Sequence, residues 1–295
     1  MTDQELFTMV GIRPEQSAPA KKLRRRNDFP WVSVILLGLI VLCCLFAELI
    51  MTKDPSYLDL KNFNVVPNGE FLFGTDTLGR DIFSGIWYGG RISIAIGFFA
   101  TLISTFIAVV YGSVSGVAPV WLDALMMRFT EIFLSVPGLL LILFLQAILG
   151  QANVVTLSIV IGVTSWASIA KIVRTEVRQI RNSEYVVASR CMGGNFFHIL
   201  DKHLAPNFIA SIMFMVVMNI RGAIGAESTL SFMGMGLPLE VISWGSMLSL
   251  SEKALLSGSW WIILIPGTFL VTLLICLTNI GNYLRKTVNR KESNL

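Results

Sequence analysis

Residues 132–170 read IFLSVPGLLLILFLQAILGQANVVTLSIVIGVTSWASIA, 39 residues without a single Asp, Glu, Lys or Arg. A helix covers the roughly 30 Å hydrocarbon core of a bilayer with about 20 apolar residues, so this run is long enough for two crossings. Gly150-Gln151-Ala152-Asn153 interrupts it with turn-forming residues, and the reading is two helices joined by a tight turn. Apolar runs of this length lack the two-residue alternation of membrane strands. Helices, by contrast, satisfy their own backbone groups in lipid.

Two further charge-free stretches flank this one, Ile92 to Leu122 and Ala254 to Leu284, each of 31 residues. Trp31 to Met51 is apolar apart from Glu48, and Leu204 to Ile220 continues through the small residues Gly222, Ala223, Gly225 and Ala226. The expectation is an all-α membrane protein of six helices, near 31–51, 92–117, 129–149, 154–174, 206–226 and 260–284. Composition agrees: 54% of the 295 residues are hydrophobic, 14% are charged and the mean hydropathy is +0.69. A soluble domain carries about a quarter charged residues. The first apolar segment sits behind 30 residues and is too long for a cleavable signal, so it reads as a span.

With six spans both termini share a side. Seventeen Lys and Arg fall on that side, in the tail of residues 1–30, the turn near Arg128, the stretch from Lys171 to Lys202 between the fourth and fifth spans, and the 285–295 tail; six fall on the other. Basic loops stay cytoplasmic, which places both tails and the 176–205 loop inside and the 52–91 segment outside, around a five-helix core over 92–284. The run Lys21 to Arg26 directly precedes a span, so anionic lipid rather than nucleic acid is its expected partner.

Little in the chain suggests catalysis. It contains no GxxxxGK[ST], HExxH or GxSxG pattern, hence no phosphate cradle, zinc helix or nucleophile elbow. His198 and His203 are five residues apart, about 140° around a helix, a poor geometry for one metal. Cys43, Cys44, Cys191 and Cys276 form no CxxC pair and no disulfide framework. No catalytic or metal site is expected, and energy for uphill transport would have to come from another chain.

Two regions are too patterned to be filler. Residues 176–207 read EVRQIRNSEYVVASRCMGGNFFHILDKHLAPN, two short amphipathic helices broken at Gly193-Gly194, with Pro206 opening the next span. Residues 71–93, FLFGTDTLGRDIFSGIWYGGRIS, form a Gly/Asp-rich turn followed by an interfacial helix with Trp87 and Tyr88 at headgroup depth. Asp76, Arg80 and Asp81 read either as a local salt-bridge knot or as part of a docking surface. Residues 227–248, ESTLSFMGMGLPLEVISWGSML, place glycine and proline between the last two spans, read as an external gate or as a packed re-entrant turn. Glu48, Arg128, Glu131, Arg221 and Glu227 stand out as ionisable residues in or near spans. Gly112 and Gly116 permit close helix packing, and Pro137 and Pro266 are expected to kink their helices.

The 176–207 loop resembles the coupling loop of permeases of the ATP-binding-cassette importers, whose motif is Glu-Ala-Ala, three residues, Gly, a spacer and Ile-x-Leu-Pro. Val187-Ala188-Ser189, Gly193 and Leu204-Ala205-Pro206 occupy these positions, with Val187 replacing the acid and Ala205 the leucine. A narrower form, found in the dipeptide, oligopeptide and nickel branch, is met by Glu184, Tyr185, Val186, Ala188, Arg190, Gly193, His203, Pro206 and Asn207. Gly74-Thr75-Asp76, Leu78-Gly79-Arg80-Asp81, Gly89 to Ser93, Glu227, Ser231 and Ser243-Trp244-Gly245 resemble the second permease subunit of the same branch. Ser84-Gly85 stands where that branch usually has Ser-Arg.

The resemblance covers roughly residues 30–290. It implies the type I importer permease fold with a cytoplasmic coupling helix, in a bacterial cytoplasmic membrane. It also implies a homologous permease partner, two cytoplasmic ATP-binding subunits holding ATP and Mg, and an extracytoplasmic substrate-binding protein. Coupling residues would be Glu184, Tyr185, Ala188, Arg190, Gly193, His203, Pro206 and Asn207. Gate candidates would be Asp76, Arg80, Asp81, Glu227, Ser231 and Trp244. Di- and oligopeptides are the first substrate reading and nickel or a metal chelate the second. An ATP-independent channel or an intramembrane enzyme is the rival from another class.

Overall fold

The computed structural model describes residues 29–181, 205–250, 254 and 257–292. The chain opens with α1 (Trp31–Leu45) and a single further turn, α2 (Ala47–Ile50). After an irregular segment come α3 (Ile82–Val117), α4 (Val120–Ser135), α5 (Gly138–Leu149), α6 (Val154–Thr164) and α7 (Trp166–Ile180). The second half has α8 (Ala205–Phe232), the short α9 (Trp244–Ser249) and α10 (Trp261–Glu292). The β structure among the described residues is one isolated antiparallel bridge, Thr75 to Asp81. The all-α expectation holds.

Among the described residues two helices, Ile82–Val117 and Trp261–Thr287, are each long and apolar enough to cross a membrane. The bent pairs α4 with α5 and α6 with α7 bring this to four if each pair is one span. Six spans are compatible with these lengths together with α1 and α8.

The expected turn at 150–153 is present. Gly150 takes φ +84°, and the Asn153 side chain accepts from the Val155 and Thr156 backbone N–H groups in a capping box that starts α6. Three boundaries differ from the sequence reading. The second span begins at Ile82, ten residues ahead of the charge-free window, because Arg91 is well accommodated inside the helix. Its guanidinium donates to the Cys44 and Leu45 carbonyls that end α1 and to Glu48.

The helix expected over 129–149 is two helices at 88°. Pro137 cannot donate a backbone bond and holds Val136 extended, at ψ 128°, so the chain turns a corner there rather than kinking. The helix expected over 154–174 bends by 44° at Ser165. There the Thr164 and Ser165 hydroxyls donate back to the Val160 and Ile161 carbonyls, a competition that bends helices. Pro266 stays within α10.

The buried side chains form three clusters, and α3 takes part in all of them. Its start (Ile82, Ile86, Trp87) packs with α1, α9 and α10; its middle (Ile96, Ala100) with α5, α6 and α8; its end (Ala108) with α7 and α8. Trp87 is therefore a core residue, edge-on to Phe83 and Phe269, and not the headgroup anchor expected; Tyr88 remains partly exposed beside Arg91. Packing of α3 on α7 depends on small residues, as expected for Gly112 and Gly116. A Cβ on Gly116 would lie 2.6 Å from Val177 Cγ1, and one on Gly112 would lie 2.6 Å from the Ala170 carbonyl oxygen.

Gly116→Val should therefore lower the stability of the detergent-solubilised protein by about 1–3 kcal/mol, the usual cost of overpacking. Gly38→Ala, in α1 with nothing within 4 Å of the added methyl, should leave it unchanged or slightly raised. Thermal unfolding of the two variants against wild type checks both.

Candidate functional site

Glu227 is fully buried, at 0% exposure. It sits in the last turns of α8, and four serine hydroxyls surround its carboxylate. Ser231 (3.1 Å) and Ser243 (2.7 Å) donate to Oε1; Ser93 (3.1 Å) and Ser228 (3.3 Å) donate to Oε2. No cation is within salt-bridge distance of it among the described residues. Hydroxyl donors alone thus compensate the buried acid, and a carboxylate with its two oxygens and four lone-pair sites can take all four.

These serines come from three elements. Ser93 belongs to α3, Ser228 and Ser231 to α8, and Ser243 is the N-cap of α9. The knot extends further: Ser93 Oγ accepts from the Trp244 N–H, Trp244 Nε1 donates to the Ile86 carbonyl, and Ser231 Oγ accepts from the Leu237 N–H. Gly245 lies so close that a Cβ there would be 2.7 Å from Ser228 Cα and 2.9 Å from Glu227 Oε1. The base of the 227–248 segment is thus a packed turn bolted to α3. Its tip is different: Phe232, Met233, Met235 and Leu239 are each more than two-fifths exposed. Glu227, Ser231 and Trp244, three of the six gate candidates, lie together here. Ser93, Ser228 and Ser243 were missed, although Glu227 and Ser231 are one helical turn apart and a serine N-cap precedes α9.

Asp76, Arg80 and Asp81 also lie close together, but no ion pair joins them. Asp76 Oδ1 accepts from the Leu78 and Arg80 N–H groups and shapes a tight turn. In that turn Gly79 adopts φ +76° with its Cα against the Asp59 backbone, a conformation that excludes a side chain. Asp81 caps α3: its Oδ2 accepts from Ser84 N (3.0 Å), Ser84 Oγ (2.6 Å) and Thr52 Oγ1 (3.1 Å). Arg80 makes no ion pair with either acid and donates to the Leu239 carbonyl, which fastens the tip of the 227–248 segment to the 76–81 turn. The salt-bridge knot is replaced by a hydrogen-bonded one, since backbone N–H groups sit nearer the carboxylates than the guanidinium does.

One further buried carboxylate was missed by the sequence reading. Asp123 of α4, 4% exposed, receives Arg174 Nε and a second Arg174 nitrogen from α7, both at 2.5 Å, with Arg178 at 3.2 Å and Ser115 Oγ of α3 at 2.7 Å. A usable signal existed: Arg174 and Arg178 are four apart and share a helix face, and Asp123 is one of two acids in the charge-poor stretch between Arg91 and Lys171. Among the other ionisable candidates, Glu48 pairs with Arg91 and Arg128 with Glu131, both on exposed surface. Cys43, Cys44 and Cys276 are free thiols. Of the expected coupling residues, Glu184, Tyr185, Ala188, Arg190, Gly193 and His203 lie outside the described residues, as do His198 and Cys191. Pro206 and Asn207 fall in the first turn of α8, where proline costs no helical bond.

Residues 108–290 match the family described as binding-protein-dependent transport system inner membrane component. The chain belongs to this family. It is 34% identical over 281 residues to the dipeptide transport system permease protein DppC of Bacillus subtilis (strain 168), covering 95% of this chain and 88% of the relative. It is 36% identical over 267 residues to that organism's oligopeptide transport system permease protein OppC, covering 90% and 87%. The Haemophilus influenzae OppC is 33% identical over 275 residues, covering 92% of this chain and 88% of the relative.

Among solved structures, the inward-facing MetNI methionine ABC transporter matches with a TM-score of 0.54 at 17% identity, over 69% of this chain and 96% of that one. That likeness concerns the fold, which is that of an ABC importer permease. As an inner-membrane permease of this family the chain has no catalytic site of its own; ATP is hydrolysed by separate subunits.

Two variants test the site's construction. Glu227→Ala should destabilise the purified protein by about 3 kcal/mol, because four buried hydroxyls lose their acceptor; Glu227→Gln, which keeps one carbonyl oxygen, should lose clearly less. Protease cleavage within 233–243, together with thermal unfolding, reads both.

Burial raises the Asp76 carboxyl above its ordinary value of 3.8, against the opposing backbone N–H bonds from Arg80 and Leu78. The folded state therefore binds this proton more tightly than the unfolded chain does. The resulting stabilisation is present at low pH and fades as pH rises from the ordinary value through the raised one. Asp76→Asn keeps the acceptor without titrating, so wild type should lose stability relative to the Asn variant over that rise. A difference in Tm that stays constant with pH would contradict it.

Proposed function

We propose that this chain is one of two channel-forming subunits of an ATP-driven importer for di- and oligopeptides. The observation that carries the reading is its similarity, over at least nine-tenths of its length, to permeases named for dipeptide and oligopeptide transport. The chain would pair with a homologous permease, receive substrate from an extracytoplasmic binding protein and move it by alternating access. ATP and Mg would sit on two cytoplasmic partner subunits, with both termini and the 176–205 loop on their side. The bias of Lys and Arg toward the termini side supports this orientation.

Within this reading the loop at 176–205 is the handle that the ATPases move, and it continues directly from α7 and into α8. At the other end, the 227–248 segment serves as an external gate. Its base is locked to α3 through Glu227, while its apolar, methionine-bearing tip is exposed, and methionine's soft, unbranched side chain suits contact with varied peptide side chains. The nickel alternative draws no support from the named relatives, which are peptide permeases.

The complex of this chain with its permease partner, ATPases and binding protein, reconstituted in vesicles, should take up radiolabelled peptides only with ATP. Unlabelled peptides should compete and nickel should not. Gly193→Val should assemble and hydrolyse ATP yet lose most of this uptake. Flux without the ATPase subunits, or nickel uptake indifferent to peptides, would overturn the proposal.

A further inference from the structure

Apart from Phe133, whose ring packs 5.4 Å from Trp166 of α7, little apolar contact holds α4 to the rest of the chain. Of its residues only Asp123 and Thr130 are buried, while Trp121, Leu125, Phe129 and Ile132 are each more than half exposed. Two polar contacts fasten it. Tyr111 of α3 donates to the Met126 carbonyl and accepts from Thr130. Asp123 is gripped from α7 by Nε and one terminal nitrogen along a single edge of the Arg174 guanidinium and by Arg178, and from α3 by Ser115. One turn further on, Arg181 donates to the Gly116 carbonyl of α3. The last turns of α7 thus carry three guanidinium groups onto α3 and α4, immediately ahead of residue 182.

An apolar contact would hold these helices at least as firmly, because a buried ion pair spends most of its attraction on desolvation. What the pair adds is direction. A bidentate arginine–carboxylate contact is fixed in both angle and distance, so α7 cannot slide or rotate against α4 without breaking it, whereas packed methyl groups can slip. Gly112 and Gly116 let α3 lie directly on α7, which makes the three helix ends one body. Beyond α4, the 88° corner at Pro137 leads into α5.

We infer that Asp123 is a positioning residue that transmits movement of α7 to α4 and, across the Pro137 corner, to α5. Arg174 and Arg178 are its partners in this. The inference rests on the importer reading above, in which the segment after α7 is the handle moved by ATP hydrolysis. Force applied there reaches α7 first, and the Asp123 clamp is the described polar contact that passes it to α4. A purely structural contact would affect assembly and stability alone. A transmitting contact affects the number of ATP molecules spent per peptide moved.

The test uses the complete complex in vesicles and reads ATP hydrolysis and uptake of a radiolabelled oligopeptide separately. Asp123→Asn should assemble and hydrolyse ATP within about twofold of wild type while uptake falls about tenfold, a coupling loss of ordinary size. Asp123→Glu should recover much of the uptake. Asp123→Arg combined with Arg174→Asp should transport better than Asp123→Arg alone, the signature of a direct pair. An Asn variant with the wild-type ratio of peptide moved to ATP hydrolysed overturns the clamp. So does a parallel fall of hydrolysis, uptake and Tm, which would assign Asp123 to stability alone. A wild-type complex without ATP-dependent uptake overturns the importer reading instead, and this inference falls with it.

Discussion

A carboxylate buried away from water must find donors, and α3 supplies them along its whole length. Four acids are buried among the described residues, Asp76, Asp81, Asp123 and Glu227. Three of them accept from a serine of α3: Asp81 from Ser84, Glu227 from Ser93 and Asp123 from Ser115. Stripping an ionised group of its hydration costs several kcal/mol or more unless such bonds replace it. Each acid is thereby bound to one place on α3, and the element carrying it is bound too. The 52–81 segment, the 227–248 segment and α4 with α7 are all located by this rule.

The three sites differ in how the charge is met, and the difference bears on what each can do. Asp81 is capped by backbone and hydroxyl donors at a helix N-terminus, a local solution that places α3 relative to the preceding turn. Glu227 is met by neutral hydroxyls from three elements, which tie the base of the 227–248 segment to α3 without a counter-ion. Asp123 is met by two arginines in fixed geometry, an arrangement suited to elements that must move together. The hydroxyl knot at Ser93 and the arginine clamp at Ser115 are roughly six helical turns apart on the same helix, with small residues (Gly97, Ala100, Ser104, Ala108, Gly112) keeping α3 in close contact with its neighbours between them.

Much of this was visible in the order of residues. The long charge-free runs announced apolar helices, Gly150 to Asn153 announced the turn between α5 and α6, and Gly112 and Gly116 announced a close helix pair. Glu227, Ser231 and Trp244 stood out through the family resemblance, though not as one cluster. Where the sequence reading failed, it failed on contacts made at a distance. Charge-free windows missed the first turns of α3 because Arg91 is neutralised by α1 and Glu48. Trp87 looked like an interfacial aromatic until Phe269 of α10 was found against it. Asp76, Arg80 and Asp81 suggested ion pairs by their adjacency, yet backbone N–H groups and the Leu239 carbonyl took those places.

By itself, the sequence determined that the chain lives in a membrane, that it is built of helices, and which segments connect them. Those properties follow from local composition and period, because apolar length and helical backbone bonding are decided within a single segment. Only the tertiary structure decided which donors meet which buried acid, where Pro137 and Ser165 divide a span, and that α4 hangs from α7 by Asp123. Such pairings join residues as far apart as Ser93 and Glu227. No local pattern encodes them, since a serine or arginine can serve any acid that the packing of the helices brings within reach.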